Sequence, residues 1–176
     1  MLKIIVSLLL MIAMQDSVIV DFKRESDTKD WVVINDGVMG GRSQGVFYLS
    51  DKGHAVFSGH ISLQNNGGFS SVRYAMPVIN VEKFSKVVLT IKGDGKRYQF
   101  RIKANASDYH SYITYFATNG DWQEITIPFN QMDPSFRGVK VNKAKYGGTQ
   151  MEEVGFLIGN KKEEDFSLFI DKISLE

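Results

Sequence analysis

Two short runs carry the residue types best suited to chemistry in this chain. They are Asn35-Asp36-Gly37-Val38-Met39-Gly40-Gly41-Arg42-Ser43 and Asn65-Asn66-Gly67-Gly68-Phe69-Ser70-Ser71-Val72-Arg73. Each couples Asn or Asp to glycine and ends at or near an arginine. A guanidinium facing a carboxylate forms charge-assisted, bidentate hydrogen bonds. Asp36, Arg42 and Arg73 are therefore expected to form one polar cluster joining the two runs, either as a binding site or as a staple between loops. Asn66 belongs with them, and Trp122 offers an aromatic surface. Gly37, Gly40, Gly41, Gly67 and Gly68 read as structural turns, because glycine takes positive φ or lets another group approach the backbone closely. The adjoining Asn and Asp residues stabilise such turns through their own backbone.

Other chemistry lacks its parts. The chain has no cysteine, which removes thiolate nucleophiles, disulfides and cysteine-based zinc sites. Ser43, Ser70 and Ser71 follow glycines but not in a Gly-x-Ser-x-Gly elbow. Gly37 to Gly41 lacks the dinucleotide spacing, and no helix follows it. His54 and His60 fall on one strand face roughly 20 Å apart, at ~3.3 Å per residue, too far to share an ion. Glu152-Glu153 and Glu163-Glu164 read as solvated turns. No catalytic residue, metal ligand or cofactor is assigned, and a structural calcium is left open. With 21 basic against 20 acidic residues there is no basic field of the kind nucleic acid requires. Tyr109, Tyr112, Tyr115, Phe116 and Trp122 crowd adjoining segments, and about half of them are expected in the core. The rest suit a sugar ligand or a protein interface.

The elements that must position these residues are strands. Val87, Leu89 and Ile91 alternate along Lys86 to Lys92, and Tyr98, Phe100 and Ile102 along Arg97 to Ala104. In the second segment Gln99, Arg101 and Lys103 take the opposite face. The turn Gly93-Asp94-Gly95 makes this pair read as a hairpin. Further strands are expected over 45–49, 54–63, 68–75, 109–117, 122–128, 154–158 and 166–175. Residues 130–145 read as an irregular, basic loop. No segment sustains a helical period. Many short strands at about ten-residue spacing indicate an all-β fold, an antiparallel β-sandwich or jelly roll. Ahead of it, Met1-Leu2-Lys3 and the apolar stretch to Met14 read as a signal peptide over residues 1–14. An uncleaved anchor, or a true start at Met11 or Met14, are the alternatives. Export would place the protein in the periplasm or outside the cell; otherwise it is cytoplasmic, with membrane contact only through the leader.

The first run resembles the hallmark of the complex I intermediate-associated protein family. Asn66 to Arg73, Gly93-Asp94-Gly95-Lys96-Arg97-Tyr98, Trp122 with Ile127-Pro128-Phe129, Phe136-Arg137-Gly138 and Phe166 to Ile173 match it in order. The similarity spans about Val20 to Glu176, taken as one domain over 20–176. It implies a galactose-binding-like sandwich and a non-catalytic, chaperone-like assembly factor of respiratory complex I (NADH dehydrogenase). Its partners would be complex I subunits or assembly intermediates. The rival expectation is an exported carbohydrate- or glycoconjugate-binding module.

Overall fold

Alternation becomes strand at nearly every place where it is found. A computed structural model describes residues 17–176, apart from the side chains of Val38 and Met39. The leader expected over residues 1–14 lies outside the described residues. In chain order the strands are β1 (Ser17–Asp21), β2 (Trp31–Asn35), β3 (Gln44–Leu49), β4 (Ala55–Ile61), β5 (Ser70–Asn80), β6 (Lys86–Lys92) and β7 (Arg97–Lys103). They continue as β8 (Ser111–Ala117), β9 (Trp122–Pro128), β10 (Asp133–Phe136), β11 (Val139–Lys140), β12 (Gln150–Ile158) and β13 (Glu164–Leu175). The only helical pieces among the described residues are single 3-10 turns at Asp36–Met39, Gln64–Asn66 and Phe129–Gln131.

The strands form two antiparallel sheets. One has the order β3-β4-β13-β6-β9, with β1 also on β13. The other has the order β11-β10-β8-β7-β12-β5-β2. Val87, Leu89 and Ile91 of β6 face Tyr98, Phe100 and Ile102 of β7 across the interior, and all six are fully buried. Each such side chain contributes roughly 1.5–3 kcal/mol of burial. The protein is thus an all-β antiparallel sandwich, as the strand pattern predicted.

The link between β6 and β7 corrects one expectation. The two strands do not form a hairpin; β6 pairs with β13 and β9, and β7 with β8 and β12. Gly93-Asp94-Gly95 instead carries the chain from one sheet to the other. Both strands own a fully apolar face, and a sandwich buries both by setting them in opposite layers. Asp94 fixes the crossing: it accepts from the Tyr98 hydroxyl at 3.0 Å, the Lys96 ammonium at 2.9 Å and the Ser167 amide of β13 at 2.9 Å. Burial of Asp94 opposes its ionisation, but these donors outweigh it and hold the carboxyl below its usual range.

Residues 130–145 are also more ordered than expected. β10 extends the seven-stranded sheet beside β8, and β11 folds back on β10. A proline and a two-residue return strand hide this pairing from any periodicity argument. β1 and β2 escape the same test because their apolar runs, Val18-Ile19-Val20 and Trp31-Val32-Val33-Ile34, do not alternate. β1 lies along β13 with a bulge, and β2 is the last strand of its sheet.

Candidate binding face

The two hallmark runs do meet, but the arginines take no part. Asp36 is fully buried. Its carboxylate accepts from the Ser43 amide at 2.9 Å, the Ser43 hydroxyl, the Gly68 amide at 2.6 Å and the Phe69 amide at 3.3 Å. Burial works against the charge, and the Ser43, Gly68 and Phe69 donors overcome it, so the carboxyl sits below its usual range. The Ser43 hydroxyl oxygen in turn accepts from the Ser62 amide at 3.0 Å. Asn35 completes the seam, accepting from the Gly45 amide at 3.0 Å and the Ser70 hydroxyl at 2.7 Å. β2 and β5 belong to one sheet and β3 and β4 to the other, so this buried polar seam ties the sheets together at one edge.

The glycines divide by what surrounds them. A Cβ on Gly41 would fall 2.3 Å from the Asp36 carboxyl carbon, and one on Gly67 2.5 Å from its Oδ2. Both positions must therefore lack a side chain for Asp36 to be enclosed. Gly40 has φ +87°, and its amide closes the turn on Gly37. Gly68 has φ +130°. Gly37 differs: open space surrounds its missing Cβ. Gly40→Ala should cost more than about 1 kcal/mol, as expected where φ is positive, and Gly37→Ala should cost little. Urea denaturation of the two variants checks this; equal midpoints would contradict the geometry.

Arg42 is exposed and makes no ion pair among the described residues. Asn66 is exposed in the 3-10 turn with φ 58°, and its neighbour Asn65 donates to the Gly40 carbonyl at 3.0 Å. Trp122 lies on β9, in the other sheet from Arg73. It packs against His54, ring centroids 4.6 Å apart, and Phe169 at 6.5 Å. The expected single cluster of Asp36, Arg42 and Arg73 with Trp122 nearby is therefore replaced by three separate settings. Backbone amides, not guanidinium groups, neutralise the buried carboxylate, because the second run presents its N–H groups to it directly.

The crowd of aromatics likewise divides. Phe116 is buried, Tyr112 is half-buried, and Tyr109, Tyr115 and Trp122 are exposed. His54 and His60 each engage a carboxylate through Nδ1, Asp171 and Asp165 respectively, both at 2.8 Å. No group of three or more metal-ligating side chains occurs among the described residues.

Arg73 belongs to an arrangement that the sequence reading did not assemble. Directly paired residues share a face, so the strand registers place Val32, Arg73, Gly155, Arg101 and Ile113 in one outward row across β2, β5, β12, β7 and β8. The neighbouring row is Ile34, Ser71, Leu157, Gln99 and Tyr115. Gly155 separates the two arginines and offers no side chain between them. A Cβ there would lie 3.3 Å from the Arg73 Cγ. Arg101 donates from Nη1 to Gln99 Oε1 at 2.6 Å, and Arg73 from Nε to Ser71 Oγ at 3.4 Å. Arg101 Nε is buried and has no acceptor among the described residues. Among the described residues, no carboxylate comes within ion-pair distance of either guanidinium. Burial first, then the Arg73 charge, push the Arg101 guanidinium down to about 10, partly offset by Glu153 and Tyr115. The signal available in the sequence was the polar face of β7; its partner across the sheet depends on register.

This architecture defines the class. The chain shares its fold with the family 11 carbohydrate-binding module of the cellulosomal cellulase Lic26A-Cel5E of Clostridium thermocellum, with TM-score 0.66 and 17% identity, covering 93% of this chain and 95% of that one. A family 11 module from the same organism, in complex with a β-1,3-1,4-mixed-linked tetrasaccharide, gives TM-score 0.65 and 19% identity over 91% of this chain and 94% of that one. The chain itself belongs to the family described as Complex I intermediate-associated protein 30, which it matches over residues 20–170. It is 24% identical over 185 residues to the mitochondrial Complex I intermediate-associated protein 30 of Mus musculus, covering 92% of this chain and 56% of the mouse protein. The chain thus spans a little over half the length of that curated relative.

Proposed function

We propose that this protein is a non-catalytic binding module that holds a subunit or assembly intermediate of respiratory complex I. The observation that carries the reading is the outward face of the seven-stranded sheet. There, among the described residues, two guanidinium groups stand without carboxylate partners, in a chain of the complex I intermediate-associated family. Uncompensated charge on a rigid sheet is maintained at a stability cost, and recognition sites are where such costs persist. Residues 1–14 act in this reading as an export leader. An exported module reaches complex I only from the side of its membrane arm, and the mass of the mature protein tests the leader.

The full-length chain carrying a C-terminal affinity tag should recover complex I subunits from detergent-solubilised membranes. The yield should be more than tenfold above an unrelated tagged sandwich. Deleting the gene should lower assembled complex I on native gels. Absence of both effects overturns the reading. One observation favours a second reading: exposed Tyr115 lies on the same face with Arg97 over its ring, 4.6 Å from the centroid. An aromatic ring beside a guanidinium can receive a sugar, and a solved structure of the same fold holds a mixed-linked tetrasaccharide. Calorimetric binding of that tetrasaccharide, lost in Tyr115→Ala, would establish this second reading.

A further inference from the structure

We propose that Arg73 and Arg101 form a carboxylate-binding site, closed beneath by Gly155, that receives an acidic side chain of a protein partner. The inference rests on the reading of the protein as a protein-binding module. Each guanidinium carries five N–H donors in a fixed fork. Within the chain, Arg73 uses one on Ser71 and Arg101 one on Gln99. Those two contacts also aim the forks, because Ser71 and Gln99 lie beside the arginines in the neighbouring outward row. The strand position between the arginines is Gly155, where a Cβ would meet the Val72 carbonyl oxygen at 2.5 Å and the Arg73 Cγ at 3.3 Å, so the stem of Arg73 leans over the glycine. Adjacent strands lie ~4.8 Å apart, so two strand spacings set the arginine backbones about 10 Å apart. With the Arg73 head drawn to Ser71 and the Arg101 head to Gln99, the two side chains flank the strip of β12 from Gly155 to Leu157, over which a bound group would sit.

The chemistry of the occupant follows from what the site lacks. Two like charges lie on either side of Gly155, one of them partly withdrawn from water, and its buried Nε–H has no acceptor among the described residues. A carboxylate answers all three at once: it neutralises the pair, replaces lost hydration and accepts in the guanidinium plane. A neutral hydroxyl supplies only the hydrogen bond. Glu153 is close enough to be felt by Arg101, so the local field is that of a modest net positive charge, which suits a monoanion.

The surroundings favour a protein as the source. Val32 and Tyr115 are both more than half exposed, at 56% and 51%. Ile34, Ile113 and Leu157 are half-buried around the arginines. Arginine and tyrosine are enriched in protein interfaces and act there as anchors, and the aliphatic side chains around them keep water out.

The test uses the full chain with 15N-labelled arginine, following the Nε–Hε signals. The probe is the capped peptide hexaglutamate, compared with hexaglutamine, hexagalacturonate and inorganic phosphate. Hexaglutamate should move the Arg73 and Arg101 signals saturably, and hexaglutamine should not. Its dissociation constant should rise at least tenfold in Arg73→Gln and in Arg101→Gln. Arg73→Lys and Arg101→Lys, which keep the charge without the fork, should recover only part of the loss. Absence of saturable shifts, or unchanged affinity in both glutamine variants, overturns the site. Saturation by hexagalacturonate or phosphate but not by the peptide overturns the protein partner. The same variants are carried through the membrane pull-down. Peptide binding lost in the variants, with no complex I subunit captured by the wild type, upholds the site and overturns the assembly reading. Subunits captured equally by wild type and variants overturn the site and uphold that reading.

Discussion

Asp36→Ala should lower the unfolding free energy by about 4 kcal/mol, the largest loss expected from any single polar substitution in this chain. The truncation strands the amides of Ser43, Gly68 and Phe69 and the Ser43 hydroxyl. Hydrogen bonds to a charged group contribute ~1.5–3 kcal/mol, and a buried donor left unpaired costs ~1–3 kcal/mol. The sum exceeds 4 kcal/mol on paper, and water entering the opened seam returns part of it. The seam is also where the sheets are tied together, so thermal unfolding should remain one cooperative transition at lower temperature. Asp36→Asn should lose less, since its amide oxygen keeps some of these donors while its NH₂ faces the others.

The same carboxylate gives the stability its acid dependence. Its folded pKa lies below the unfolded value. The contribution is therefore complete above the unfolded carboxyl range, about 4, and is lost as pH falls through the folded value. In Asp36→Asn, the slope of stability against pH should flatten below about pH 4. An unchanged slope would show that other carboxylates carry the acid transition. Asp94, held down in the same direction by Lys96, Tyr98 and Ser167, would be the first to examine.

Arg101→Met should have the opposite sign in the free protein and a large effect on binding. The guanidinium is partly buried beside the like charge of Arg73, with its Nε enclosed and unpaired among the described residues and its pKa pushed down to about 10. For a basic group, a lowered folded pKa means that the charged form is penalised in the fold. The penalty is complete below about 10 and relieved as pH rises through it. Methionine fills much of the same volume without charge. Replacing buried charged groups by apolar ones is often neutral or stabilising by ~1–4 kcal/mol, and about 2 kcal/mol is expected here. At the same time, capture of the partner should fall at least tenfold. Melting temperature and pull-down yield on one preparation decide it: a drop in both would make Arg101 a structural residue rather than a recognition residue. This pairing of gained stability with lost binding is what a site kept for function produces.

Much of the fold is legible in the sequence, because the driving pattern is local. Alternation along Lys86 to Lys92 and Trp122 to Pro128 placed β6 and β9 with correct ends, since a half-buried strand writes its burial directly into every second residue. β10 and β11 give no such signal: one contains a proline and the other is two residues long, and each exists only because a neighbour is there to pair with it, β8 for β10 and β10 for β11. The turn after β6 was legible as a turn but not as a crossing between sheets. A Gly-Asp-Gly segment bends the chain in either case, and the choice belongs to the Tyr98 and Ser167 contacts that Asp94 finds only in the folded sandwich.

The candidate site divides in the same way. The hallmark runs announced themselves through glycine beside Asn and Asp, whose turn chemistry is local. What Asp36 bonds to was not legible, because an amide that arrives from thirty residues away leaves no mark of its own in sequence, whereas an arginine does and so invites a false pairing. Arg73 was visible from the first and Arg101 was visible as one of the polar residues of β7. That they flank Gly155 is decided by the registers of β5, β12 and β7 alone. A shift of one residue in either pairing would turn the whole strand over. The chain by itself determined which residues face away from the core; the sheet determined which of them meet, because the hydrogen-bonded ladder, not the spacing in sequence, sets neighbours across strands.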